Sequence, residues 1–387
     1  MELARRARSA ESEIAPVTDF LGQMEVLARM PGAVDLTFGN PHEMPLPGLV
    51  AALAAQVQPR SETWFAYKTS EEPARTAVAA GLSAELGTAF EPQDVAMTQG
   101  AFGAISLALH LLTDPADEVI VPVPGWFCYS PMLRSAALTP VPVPLDADSF
   151  DLDLDAIAAA VTPRTRIIVV NSPANPTGRV YSHDQLTALA RLADDASGRI
   201  GRRIWILSDE PYRRIRFAGV PFTSPATVYP WTLIDYSYGK ILLAPGQRLG
   251  YLALSPLMPA ETRAELRAAL TPLQLSIGWG FPDAVMQYAV PTLEEVGIDL
   301  VELEAKRDLV HGALSEAGFT LTRPDGTFYL WGEAPDGDGD AFAARLANDQ
   351  VYVMPGRLFE RPGHFRISLT ATMDSLQRAL PSLITSA

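Results

Sequence analysis

The chain has 387 residues, 48% hydrophobic and 19% charged, a composition that suits a globular protein with a large core and space for two domains. Its formal net charge of −15 argues against nucleic acid or an anionic membrane as partner, because both repel an acidic surface. Cys128 is the single cysteine, which excludes an internal disulfide and suits a reducing, cytoplasmic setting.

In chain order, the opening MELARRARSAESEIAP carries basic residues with no apolar core behind them, so it does not read as a secretory signal. No apolar run reaches the ~18–20 residues of a membrane span. Residues 1–46 are expected to form an N-terminal arm and part of a smaller domain. From Phe90 to Pro256, short β-branched runs alternate with helical stretches. DVAMT leads into GAFGAISLALHLL, EVIVPV into WFCYSPMLRSA, and RTRIIVVN into SHDQLTALARLADDA; RIWILSD, WTLIDYS and LGYLALS complete the strands. These runs lack strict alternation, as strands covered on both faces do. The pattern predicts an α/β domain over 47–290, built on a mostly parallel, doubly wound sheet.

Beyond Pro291 a long helix over LEEVGIDLVELEAKRDLVHGALSEAG and strands in FTLTR, GTFYLW, YVMP and HFRISL predict a smaller α+β domain over 291–387. The acidic PDGDGD from Pro335 starts like a calcium loop. It lacks the glycine at the sixth position and has Ala347 where the bidentate glutamate belongs, so it reads as a solvated loop. The five histidines show no metal spacing, and no metal is expected.

Ligands of such sheets bind beyond the carboxyl ends of the strands. The chemically distinctive residues fall there. MTQGAFGAIS turns from strand to helix at Gly100 and Ala101, offering free backbone N–H groups and the positive end of a helix dipole to a phosphate. Trp126 in PGWFCY could stack on a planar ring or simply fill the core. Asn175 in NSPANPTGRVY sits in an ordinary turn or presents a fixed hydrogen bond to a ligand oxygen. Asp209 in LSDEPY, with Tyr212 three residues on, is a helix cap or a functional acid. Lys240 in SYGKILLAPGQR is a surface lysine lying over apolar neighbours or a Schiff-base lysine. Ser237 and Arg248 flank it and could close on the phosphate. A lysine for an aldehyde and an acid to keep a ring nitrogen protonated, at one sheet edge, suit pyridoxal phosphate.

The ordered set NPTG, SDEPY, SYGK with an arginine eight residues later, and FRISL resembles the class I and II aminotransferases, aspartate aminotransferase-like enzymes of pyridoxal-phosphate fold type I. The resemblance runs from about Val34 to the C-terminus. It implies that Lys240 forms the Schiff base and shuttles the substrate proton, that Asp209 pairs with the pyridine nitrogen, and that Asn175 and Tyr212 bond the phenolic oxygen. Trp126 would cover the ring, while Gly100, Ala101, Phe102, Ser237 and Arg248 would hold the phosphate. Arg366 in HFRISL, Gly39 in LTFGNP and Asn175 would receive the substrate carboxylate.

The resemblance further implies a homodimer with shared active sites. Phe65 stands where the family commonly has a tyrosine that reaches the partner's phosphate. Tyr67 is expected to replace it, with Lys68 near the substrate side chain. LQLSIGWGFPD also lacks the family's serine/threonine cluster.

The implied reaction is transamination between an amino acid and a 2-oxo acid. β-Elimination, oxidation and decarboxylation are alternatives on the same scaffold. A non-catalytic cofactor-binding protein is a further alternative, against which Lys240, Asp209 and Arg366 all count. A nicotinamide oxidoreductase is disfavoured, because no strand leads into a G-x-G-x-x-G turn.

Overall fold

Residues 3–386 are described by a computed structural model. Residues 1, 2 and 387, the outer ends of the expected 1–46 and 291–387 segments, lie outside the described residues. Among the described residues, eleven strands form two sheets: β1 (Val34–Leu36), β2 (Val95–Thr98), β3 (Glu118–Val123), β4 (Thr139–Pro144), β5 (Thr165–Asn171), β6 (Trp205–Asp209), β7 (Thr232–Ser237), β8 (Gly250–Leu254), β9 (Tyr329–Glu333), β10 (Val351–Pro355) and β11 (His364–Ser368). The larger sheet runs β2-β8-β7-β6-β5-β3-β4, and only β8 is antiparallel to its neighbours.

The unbroken apolar runs have a direct physical cause. Within β5, Ile167 and Val169 enter one apolar cluster while Ile168 and Val170 enter another. Successive side chains of a strand point to opposite faces, so a strand covered on both sides is apolar at every position. Helix Gly100–Leu112 covers one face with Ala104, Leu107 and Ala108; helix His183–Ile200 covers the other with Leu186, Leu189 and Ala193. Each such buried Leu, Ile or Val contributes about 1.5–3 kcal/mol relative to exposure.

Three features depart from the pattern expected of the sequence. TPVPVP forms an edge strand, β4, paired only with β3. Its prolines at 140, 142 and 144 recur every second residue, so the missing N–H groups fall along one edge. A sheet tolerates that arrangement only at its border. The expected long helix after Pro291 is two helices, Ala284–Leu293 and Leu300–Glu316. Asp299 caps the second through the N–H groups of Val301 and Glu302 at 2.8 and 3.1 Å. In the break, Ile298 N–H donates to the Ile241 carbonyl at 3.0 Å, which seats the connection beside the Lys240 turn. FTLTR contributes one isolated bridge, Leu321 with Gly332, rather than a full strand.

The smaller sheet runs β1-β10-β11-β9, with β1 parallel to β10 through Val34–Val351 and Leu36–Val353. Residues from both ends of the chain therefore share it. Helix Arg5–Leu27 lays Val17, Phe20 and Met24 into the cluster that contains Ile120 and Ile168. Among the described residues, no helix is long and apolar enough to cross a membrane, and no group of three His, Cys, Asp or Glu residues could hold a metal.

Candidate active site

Strands β2, β5, β6 and β7 end at the same edge and deliver the chemistry. After β2, Gly100 opens helix Gly100–Leu112 at φ +73°, and a Cβ there would stand 2.8 Å from Arg248 Nη2. Only glycine combines that backbone with that approach. After β7, Ser237 leads into the single turn Tyr238–Ile241, which carries Lys240. A cavity of about 470 Å³ lies between these turns, and Ala101, Phe102, Ser237, Lys240 and Arg248 border it. Asn175, Asp209, Tyr212 and Trp126 complete the side nearest the sheet. Nine residues proposed from separate motifs thus meet around one space.

Asp209 is 3% exposed, so its carboxylate depends on donors within the protein. Tyr129 donates its hydroxyl to Oδ2, and Asn171 Nδ2 donates to the same oxygen at 3.2 Å. Oδ1 meets no N–H or hydroxyl. Burial pushes the Asp209 carboxyl above the ordinary range, against the opposing effects of Asp235, Tyr129 and the Lys240 charge. A buried acid beside a cavity is suited to bind a cationic N–H.

Asn171 links the turn to the acid. Its Oδ1 accepts from the Asn175 N–H at 2.7 Å, while its Nδ2 also reaches the Asp209 carbonyl at 2.9 Å. Asn175 Oδ1 in turn accepts from Arg366 Nη1 at 2.8 Å. Its amide NH2 is thereby the end free to donate into the cavity.

Arg366 is 1% exposed and lies behind the cavity rather than on its wall. Nη2 donates to the Thr37 carbonyl at 2.7 Å, the guanidinium carbon lies 3.8 Å from the Tyr329 ring centre, and Nε has no partner. Gly39 is also off the wall; a Cβ on it would lie 2.4 Å from Phe328 Cε2. The Tyr212 ring lies 5.9 Å from that of Tyr329, and its hydroxyl is held well above the usual tyrosine range by burial and then by Tyr329. Burial also raises Tyr329, but Arg366 and Lys240 outweigh it, leaving that phenol lowered. Lys240 Nζ stands 5.6 Å from the Tyr212 ring centre.

Tyr67 and Lys68 do not border the cavity within one chain. Tyr67 is 85% exposed with its ring 4.7 Å from that of Phe281, and Lys68 Nζ lies 3.9 Å from Glu71. Sequence reasoning missed Tyr129, Tyr329 and Asp235, and gave Asn171, which opens NSPANPTG at a strand end, no role of its own. Tyr129 follows Trp126 by three residues and Asn171 ends a named strand, so position was an available signal for both. Tyr329 carried no such signal, because Tyr212 and Arg366, which it meets at the site, are remote from it in sequence.

The model of the family "Aminotransferase class I and II" matches residues 31–383. The aspartate/prephenate aminotransferase of Thermus thermophilus is 33% identical over 359 residues, covering 90% of this chain and 89% of that protein. The aspartate/prephenate aminotransferase of Cereibacter sphaeroides is 30% identical, covering 96% and 94%. A crystal structure of an aminotransferase from Eubacterium rectale superposes with a TM-score of 0.87 at 27% identity, covering 100% of this chain and 96% of that one. With the expected fold in place, the chain belongs to the class I and II aminotransferases and is a pyridoxal-phosphate-dependent aminotransferase.

Proposed function

We propose that the cavity binds pyridoxal phosphate through Lys240 and that the protein moves an amino group from an amino acid to a 2-oxo acid. The observation that carries this reading is that the buried acid Asp209 borders the same cavity as Lys240. Of the chain's three lysines, Lys68 and Lys306 pair with carboxylates, whereas Lys240 has no ion pair among the described residues.

The residues present fit the cofactor. Lys240 would hold its aldehyde carbon, Asp209 its ring nitrogen, and the Asn175 amide with Tyr212 its phenolic oxygen. The N-terminus of helix Gly100–Leu112, with Ala101 and Phe102, would receive the phosphate together with Ser237 and Arg248. Bound there, the cofactor supplies a carbonyl to take the amino group and a protonated ring to absorb the electron pair left at the substrate Cα.

The chain's own groups do the rest. Lys240 Nζ removes and returns the Cα proton. Asp209 keeps the ring nitrogen protonated by remaining ionised beside it. Trp126 and Phe102, edge to face at 4.8 Å, exclude water from the ring. Arg366 binds the substrate carboxylate with its fork, aided by the close backbone of Gly39. The relatives' names make aspartate the first donor to try. We also assign a homodimer in the cytoplasm, with residues 47–290 as the cofactor-bearing body and 1–46 with 291–387 as the smaller one.

Borohydride reduction followed by peptide mass spectrometry tests the assignment, with Lys240 expected to carry the reduced cofactor. An adduct on Lys68 or Lys306 would sink it. Assay of amino donors against 2-oxo acids then tests the reaction, and release of ammonia or carbon dioxide in place of the new amino acid would favour the elimination or decarboxylation readings.

A further inference from the structure

Strands β6 and β7 set two acids side by side. Asp209 and Asp235 are registered partners, 3% and 0% exposed. The proposed reaction uses Asp209 and leaves Asp235 without a task. Its surroundings explain why that is costly. Leu233, two residues earlier on the same face, and Leu252, its partner on β8, belong to the apolar cluster under helix Gly100–Leu112. Neither oxygen of Asp235 meets an N–H or hydroxyl donor. The polar group set beside it, on the neighbouring strand and the same face, is the Asp209 carboxyl.

Two ionised carboxylates are both acceptors and repel, so two buried side by side can bond only if one of them keeps a proton. The surroundings decide which acid owns it. The charged groups acting on Asp235 are Asp209 and Glu210, both anionic. Glu210 is itself engaged by Arg213 and the hydroxyls of Ser208 and Ser224. Asp209, by contrast, has the Tyr129 hydroxyl, the Asn171 amide and the Lys240 charge. Burial, and then Asp209, drive the Asp235 carboxyl well above the ordinary range.

We propose that Asp235 is a positioning residue that stays protonated and donates its carboxyl hydrogen to Asp209, holding Asp209 as the ionised partner of the cofactor's ring nitrogen. This rests on the cofactor reading above. Three donors on three elements then orient one carboxylate: Tyr129 at the start of helix Tyr129–Ser135, Asn171 on β5 and Asp235 on β7. Asp235 acts through Asp209 rather than touching the cofactor.

The test compares Asp235→Leu, which removes the donor and keeps bulk, with Asp235→Asn, which keeps a neutral N–H donor. In the cofactor-loaded enzyme, Asp235→Leu should lower kcat by about tenfold to a hundredfold, the size expected when a charged acceptor loses one hydrogen bond. KM should change little. The pH midpoint of the bound cofactor's visible absorption should shift, which a merely structural loss would not produce. Asp235→Asn should restore most of the kcat and the midpoint.

Difference infrared spectroscopy of the cofactor-free protein at neutral pH gives an independent readout. Wild type minus Asp235→Asn should show the C=O stretch of a protonated carboxylic acid. Absence of that band overturns the proposal, as does a Leu variant with wild-type kcat and absorption profile, or an Asn variant as damaged as Leu. Should the Leu variant not fold, the infrared difference and the Asn profile still decide. A chain that takes up no pyridoxal phosphate would defeat the cofactor reading, while the infrared band would still locate the proton.

Discussion

Arg366 on β11 donates to Asn175 Oδ1 at 2.8 Å, joining the smaller sheet to the turn after β5 across 191 residues of sequence. The bond fixes the Asn175 amide and aims the guanidinium from behind the cavity. One contact therefore couples the proposed carboxylate site to the proposed cofactor site.

Arg366→Lys keeps the positive charge but loses the fork, the Asn175 bond and the Thr37 bond. Steady-state kinetics should show kcat/KM down by the equivalent of about 1.5–3 kcal/mol for every amino acid and 2-oxo acid. Unchanged KM values across the series would remove Arg366 from substrate binding.

Gly100→Ala puts a Cβ at φ +73° and 2.8 Å from Arg248 Nη2. The left-handed backbone alone costs roughly 1–2 kcal/mol. Arg248 must also withdraw, so cofactor affinity should fall together with the melting temperature. A variant with wild-type values of both would show that the turn adapts freely and is not a preformed phosphate cradle.

The Asp209–Asp235 pair has a signed pH consequence. Both carboxyls are raised in the folded protein, first by burial. Above the ordinary aspartate range the unfolded chain has released protons that the folded chain keeps. The unfolded state then binds fewer protons, so stability falls as pH rises from that range toward the raised folded values. Asp235→Asn removes one such proton. In cofactor-free protein its stability relative to wild type should improve with pH by up to about 1.4 kcal/mol per unit within that window. Denaturant titrations at several pH values measure this, and a gap independent of pH would contradict it.

Tyr67 and Lys68 lie away from the cavity in one chain, with Tyr67 85% exposed. If the proposed homodimer brings them to the partner's site, a hybrid of one Lys240→Ala subunit and one Tyr67→Phe, Lys68→Ala subunit holds one intact site. Its activity should approach half that of wild type. Activity no higher than the parent mutants would place both residues in their own subunit's site or in neither.

The sequence by itself determined the local chemistry. Doubly apolar runs specified covered strands, because alternate side chains must enter two cores, and this made β5, β6 and β7 legible. Asp209 and Lys240 were legible because a polar residue ending such a run must meet a ligand, a cap or solvent. Local pattern misled where a neighbour set the outcome. The prolines of β4 are acceptable only because nothing pairs with its outer edge, and the helix break at Glu294–Asp299 is stabilised in part by the distant Ile241 carbonyl. Tertiary structure alone decided that Asp235 faces Asp209, that Arg366 grips Asn175 and that Tyr329 stands beside Tyr212. Each depends on strand order and register, which are settled by the packing of the whole sheet, whereas hydrophobic period depends only on which face a residue must bury.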